Sequence, residues 1–202
     1  MTPKTDIYFV DFSHTGTIVS ANYFPLGIGY VAAYLSNELS DQVQVKLFKY
    51  PKDLSASLKE KMPRIMGFSN YSWNINLSYE YIKQIKARYP ETVIVMGGPN
   101  YGLSDEELKD FWDRYPLIDF YIVFEGELAI VNLVKTLISN NFNVAATKSD
   151  SVKIPNCHYM FENVLIKSES LPRIKDLSSL PSPYLMGLMD KFFDGILIPL
   201  VS

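Results

Sequence analysis

The chain has 202 residues, 48% hydrophobic and 20% charged, which excludes a disordered or collagen-like polymer and leaves enough apolar material for a real core. With 19 basic against 22 acidic residues the net charge is −3, so no basic excess draws it to nucleic acid or an anionic membrane. A single cysteine, Cys157, excludes an internal disulfide, a Cys-based zinc site and a self-contained iron–sulfur cluster.

Residues 7–10 form a short apolar run ending at Asp11, which predicts a buried strand. Apolar residues then recur at helical spacing over 26–39 (Leu26, Ile28, Val31, Leu35, Leu39). Residues 43–48 alternate as a strand does, and 54–62 predict a short helix stopped by Pro63. A third strand is expected at 65–68 and a helix at 77–89, ended by Pro90. The all-apolar run 93–96 suits a central parallel strand covered on both faces. Ser104 with Glu107 three residues on is a capping box that opens a helix to about residue 114. A fifth strand at 120–124 and a fifth helix at 128–138 follow. Five βα units in succession predict a doubly wound, three-layer α/β fold around a five-stranded parallel sheet, that is, a flavodoxin-like or Rossmann-like domain.

Beyond residue 140 the pattern changes. Residues 140–151 read as a polar loop, 154–166 as an irregular hairpin turning near Glu162 and Asn163, and 171–183 as an extended segment punctuated by Pro and Ser. A short amphipathic stretch, 184–193, leads to the apolar run 196–201, which reads as the start of another strand. The expected division is a domain over 1–145 and a hairpin-plus-connector over 146–202, leading to further chain after Ser202. The N-terminus lacks the apolar core of a signal peptide, and no apolar run approaches the ~20 residues of a membrane helix, so a cytoplasmic protein is expected.

In open α/β sheets ligands bind beyond the carboxyl ends of the strands. Those ends carry Ser13, His14, Thr15 and Gly16 after the first strand, and Ser69, Tyr71, Ser72 and Trp73 after the third. Gly97, Gly98, Pro99 and Asn100 follow the fourth, and Glu125, Gly126 and Glu127 the fifth. Lacking Cβ atoms, Gly97 and Gly98 would let a ligand lie against the backbone, though a tight turn after a strand would use them equally. Glu125 and Glu127 suit either ligand contact or the favourable field at a helix N-terminus. Tyr71 and Trp73 could floor a flat ligand or belong to the core. Only two histidines occur, and no metal-spaced cluster, phosphate loop or nucleophile elbow is present, so no side chain is assigned a catalytic or metal-binding role. Gly27 and Gly29 lie within the first helix and lack the third glycine of a dinucleotide fingerprint, which favours helix–sheet packing over NAD binding.

The string from Phe24 to Leu35 resembles the first-helix signature of cobalamin-binding domains that precede radical SAM cores. Met66-Gly67-Phe68-Ser69, Val95-Met96-Gly97-Gly98-Pro99-Asn100 and Glu125-Gly126-Glu127 fall in the order and spacing of that family's other marks. Leu180-Pro181-Ser182-Pro183-Tyr184 resembles its linker to the barrel. The resemblance implies a module that holds cobalamin (B12) over the strand ends, its nucleotide tail threaded between the sheet and a flanking helix. Contacts would come from Ser13, His14, Thr15, Gly16, Gly27, Ser69, Tyr71, Ser72, Trp73, Gly97, Gly98, Pro99, Asn100, Glu125, Gly126 and Glu127. A downstream radical SAM domain of the same chain would hold the [4Fe-4S] cluster and S-adenosylmethionine, leaving this part inactive by itself and the reaction a methyl transfer or rearrangement. The chain departs from the pattern in three places. His14 stands one position late for the D-x-H-x-x-G cobalt ligand, Phe124 replaces a frequent glycine, and Asn100 replaces a frequent histidine. Two other readings keep the fold: a structural or substrate-gating domain without cofactor, and a flavin or nucleotide binder.

Overall fold

The computed structural model describes residues 3–13, 24–149 and 154–193. The expectations placed on His14, Thr15, Gly16 and the run 196–201 lie outside the described residues.

Five parallel strands form where the apolar runs predict them: β1 (Thr5–Val10), β2 (Val43–Phe48), β3 (Ile65–Ser69), β4 (Val93–Gly97) and β5 (Phe120–Ile122). Their order, β2-β1-β3-β4-β5, reverses direction between β1 and β3. Ile7 of β1 stands opposite Val45 of β2 on one side and Ile65 of β3 on the other. Helix α1 (Leu26–Glu38) follows β1, α2 (Pro51–Glu60) follows β2, and α3 (Ile75–Arg88) follows β3. Helix α4 (Asp105–Arg114) begins at Ser104 with the capping box the sequence shows, and α5 (Glu127–Ser139) follows β5. Two apolar layers result, as both faces of a parallel sheet require. One packs α1 and α5 over Ile7, Phe9, Ile65 and Val95, and the other packs α2, α3 and α4 over Tyr8, Val10, Phe68 and Met96.

The region after residue 140 is more regular than its sequence suggests. Residues 144–149 form a short helix, α6 (Val144–Ser149), where a loop is expected. Asn143 explains it, because its side-chain oxygen accepts the Ala146 N–H at 2.9 Å and so caps the first turn. The hairpin β6 (Cys157–Phe161) and β7 (Val164–Lys167) turns at Glu162 and Asn163, whose φ values of 48° and 62° match a left-handed two-residue turn. It does not stand apart: β6 pairs antiparallel with β5, setting His158 opposite Tyr121, and extends the sheet to seven strands. Cys157 is a buried core residue there, its thiol pushed up in pKa by burial.

The segment 183–193 folds back on α1. Met189 is fully buried in the α1/α5 layer, and a Cβ at Gly29 would fall on its terminal methyl. Phe24 meets Tyr184 and Phe193 with ring centroids 5.8 and 4.8 Å apart. Lys191 donates to the Leu47 carbonyl and lies 4.5 Å from the centre of the Phe48 ring.

Candidate functional site

At the carboxyl ends of β1, β3, β4 and β5 the sheet and the two helices of one layer part around a cavity of about 260 Å³. It opens at the reversal of strand order, where such folds place ligands. Its depth is apolar: buried Phe9, Ile28, Val95, Ile122 and Ile130 line it. Nearer the outside lie Gly27, Ser69, Tyr71, Gly97, Gly98, Phe124, Glu125, Gly126 and Glu127, with Asp11 at the end of β1.

The glycines around this cavity have different reasons to be bare. At Gly67 a Cβ would meet the Phe9 ring at 2.5 Å, and at Gly126 it would meet Val31 at 3.0 Å. At Gly98, φ is 134° and a Cβ would stand 2.6 Å from the Asn70 carbonyl oxygen. Gly97 is tight against Ile122, at 3.2 Å from its carbonyl oxygen. Gly27 is the exception. Among the described residues a Cβ there would find only the Tyr71 hydroxyl, at the ordinary contact distance of 3.9 Å. Glycine in a helix costs roughly 0.5–1 kcal/mol relative to alanine, and nothing in the described protein uses the space that Gly27 leaves. The helix–sheet packing expected for Gly27 and Gly29 is therefore corrected: Gly29 makes room for Met189, and Gly27 makes room in the cavity.

Beside the cavity a buried polar knot joins the ends of β1 and β3 to the start of α3. Ser69 Oγ donates to Asp11 Oδ1 at 2.5 Å, and the Asn74 side-chain amide donates to Asp11 Oδ1 at 3.1 Å and to Ser69 Oγ at 2.9 Å. Asn74 Oδ1 in turn accepts the Tyr71 backbone N–H at 2.9 Å, fixing the turn that carries Tyr71 and Trp73. Burial raises the Asp11 pKa above its ordinary 3.8 despite the bonds from Ser69 and Asn74 and the nearby Lys49 charge. Burial likewise lowers Lys49 against the attraction of Asp11. Desolvation outweighs the mutual attraction for both partners. A carboxyl group with a raised folded pKa stabilises the fold most when protonated. The unfolding free energy of the wild type minus that of Asp11→Asn should therefore fall as pH rises from below 3.8 through the raised folded value, by at most about 1.4 kcal/mol per pH unit. Paired denaturation curves across the acid range measure it; a flat or rising difference refutes the assignment.

A second knot joins the loops after β3 and β4. The Asn70 backbone N–H donates to the Gly97 carbonyl at 2.7 Å, and the Asn100 N–H donates to the Asn70 carbonyl at 3.2 Å. The two side-chain amides complete the link: Asn70 Nδ2 to the Asn100 carbonyl at 2.6 Å, and Asn100 Nδ2 to Asn70 Oδ1 at 3.1 Å. Tyr121 receives a bond from Asn70 Nδ2 at 3.1 Å and donates its own hydroxyl to the Gly98 carbonyl at 2.7 Å. Behind it Tyr101 stacks on Tyr121 with centroids 3.8 Å apart, takes the Trp112 N–H and pairs with His158 Nδ1 at 3.1 Å. His158 is thus a structural residue, its pKa lowered chiefly by burial.

The turn from β5 into α5 is strained. Phe124 has φ 61°, a left-handed conformation that costs a bulky residue roughly 1–3 kcal/mol. Asn156 clamps both sides of it: its carbonyl accepts the Val123 N–H at 2.8 Å, and its amide donates to the Glu125 carbonyl at 3.2 Å. Glu125 Oε2 accepts the Ile174 N–H at 2.8 Å, so this carboxylate straps the segment after β7 across the turn. This bond is a structural role beside the two expected of Glu125, ligand contact or helix-terminus charge, and Glu125 also lines the cavity.

Of the residues expected to meet a ligand, Gly27, Ser69, Tyr71, Gly97, Gly98, Glu125, Gly126 and Glu127 line the cavity together. Tyr71 and Trp73 are not core aromatics: they stack at 4.4 Å and 9° at the surface, with Trp73 49% exposed. Ser72, Pro99 and Asn100 are exposed rim residues, and Ser13 is buried behind the rim. The partners of Asp11, Asn70, Asn74 and Asn156 escape sequence reasoning, since apart from the local Tyr71–Asn74 bond they lie between 5 and 63 residues away. Asn74 carried a signal: an Asn at the start of a helix caps it or turns its amide elsewhere. Among the described residues no group of three or more His, Cys, Asp or Glu could hold a metal, and no helix is long and apolar enough to cross a membrane.

A family model described as the B12 binding domain matches residues 16–134. The chain is similar to the cobalamin-dependent radical SAM methyltransferase TokK of Streptomyces tokunonensis, 30% identical over 175 residues, 83% of this chain and 24% of that one. It is also similar to a 2-(S-pantetheinyl)-carbapenam-3-carboxylate methyltransferase of Streptantibioticus cattleyicolor, 23% identical over 190 residues, 91% of this chain and 25% of that one. The fold matches that of the cobalamin-dependent S-adenosylmethionine radical enzyme OxsB with aqua-cobalamin bound, with TM-score 0.65 and 18% identity over 94% of this chain and 25% of that one. The chain thus spans about a quarter of the length of the relatives it matches.

Proposed function

The chain belongs to the B12-binding domain family, and from that premise we propose that its cavity receives the nucleotide tail of a cobalamin whose corrin rests on the loops around the strand ends. The observation that carries this reading is the space beside Gly27, opening on an apolar cavity at the reversal of strand order and used by no atom of the described residues. The residues present suit the group. The apolar depth between Phe9, Ile28 and Ile130 accepts an aromatic base, and Ser69 and the Tyr71 hydroxyl offer polar contacts to the tail. The half-buried Tyr71 and the exposed Trp73 stacked on it give a flat face for a macrocycle, while Pro99, Asn100 and Glu127, on the loops around the strand ends, would meet its amide rim. Bound cobalt would supply the methyl-transfer or rearrangement chemistry, and the protein's part is to orient the cofactor and exclude water. No cobalt ligand is assigned to His14. In the whole protein, residues 1–145 act as the cofactor domain and 146–202 lead to a radical SAM domain that carries the [4Fe-4S] cluster and S-adenosylmethionine, so this part alone turns nothing over.

The test is direct. The chain is mixed with hydroxocobalamin and desalted, and its visible spectrum is recorded. Corrin bands that travel with the protein are expected. A colourless protein refutes cofactor binding and leaves a structural domain, whereas retention of a flavin in a parallel run replaces the ligand.

A further inference from the structure

We propose that Phe124 is a ligand-contact residue, its ring held at the cavity mouth to cover the planar group that enters there. The proposal rests on the reading that the cavity holds a cobalamin. Three observations carry it. The residue sits in a left-handed conformation, φ 61°, that its side chain disfavours and that a glycine would adopt freely. The residue is 65% exposed while lining the cavity, so burial in the protein does not repay the strain. The conformation is nonetheless imposed from both sides, by the Asn156 carbonyl on Val123 N–H and the Asn156 amide on the Glu125 carbonyl. Strain that the surroundings enforce and the folded protein does not use belongs to function. The apolar depth of the cavity tells what passes the mouth: a flat, weakly polar ring system, against which an aromatic face stacks.

Strain and binding then predict opposite signs for one substitution. Phe124→Gly relieves the backbone and removes the ring. The ligand-free melting temperature should rise by about 3 °C, and the dissociation constant for hydroxocobalamin, read by equilibrium dialysis and visible absorbance, should rise about tenfold. Phe124→Tyr keeps the ring and the strain and should match the wild type in both measurements. Phe124→Gly that binds within twofold of the wild type, or that melts lower than it, overturns the proposal while the reading of the cavity stands. A wild-type chain that retains no hydroxocobalamin overturns both.

Discussion

Replacing Gly27 with leucine should leave the chain folded and strip it of hydroxocobalamin. Gly27 occupies the first turn of α1, and its missing Cβ faces the cavity with, among the described residues, only the Tyr71 hydroxyl in reach, at 3.9 Å. Leucine is a better helix former than glycine, so the ligand-free protein should gain about 0.5 kcal/mol. Its side chain continues past Cβ into the space assigned to the cofactor tail. Because a tightly fitted site rejects added volume, binding should weaken by roughly a hundredfold or more. Gly27→Ala should fall between the two, since its Cβ touches nothing in the protein beyond ordinary contact. Equilibrium dialysis for affinity and thermal melts for integrity separate the effects. Wild-type affinity in Gly27→Leu would sink the placement of the tail beside α1. Stability rising while affinity falls is what a binding glycine predicts and a packing glycine does not.

The contrast between Gly27 and its neighbours marks how far sequence alone reached. The parallel strands were legible because a strand covered on both faces must be apolar throughout, as 93–96 is, and α4 because Ser104 and Glu107 write its cap locally. The candidate rim was legible because strand ends follow from strand positions, and seven of its residues meet Gly27 of α1 at one cavity. The rest depends on partners distant in sequence. Nothing near Cys157 in the chain says that β6 pairs with β5, and nothing near Glu125 says that its carboxylate is taken by Ile174, 49 residues away. Phe124 was invisible as a strained position because aromatic residues ordinarily avoid left-handed backbone, so its presence argues against the conformation it has. Glycine pairs were ambiguous for the same reason: bareness is visible in a sequence, but what it makes room for is not.

Gly98 stands opposite to Gly27, because the space its missing Cβ leaves is taken by the Asn70 backbone. Gly98→Val should destabilise the fold by about 4 kcal/mol, adding backbone strain to an overlap that cannot relax. The residue has φ 134°, a conformation L side chains rarely adopt, and its Cβ would stand 2.6 Å from the Asn70 carbonyl oxygen and 2.9 Å from the Asn70 nitrogen. Neither atom can give way, since that nitrogen donates to the Gly97 carbonyl and that oxygen accepts from Asn100, the bonds that hold the two loops together. Moving Asn70 would also pull its amide from Tyr121 and the Asn100 carbonyl. The overlap is complete at the first carbon. Gly98→Ala should therefore cost nearly as much as Gly98→Val, whereas a glycine kept bare for a ligand would tolerate alanine and lose affinity in proportion to added volume. Chemical denaturation of the ligand-free variants reads the difference. A stable Gly98→Ala with weakened cobalamin binding would return Gly98 to the ligand; an alanine variant as unstable as the valine one assigns it to the junction between the β3 and β4 loops, and any loss of cofactor then follows from a rim that no longer holds its shape.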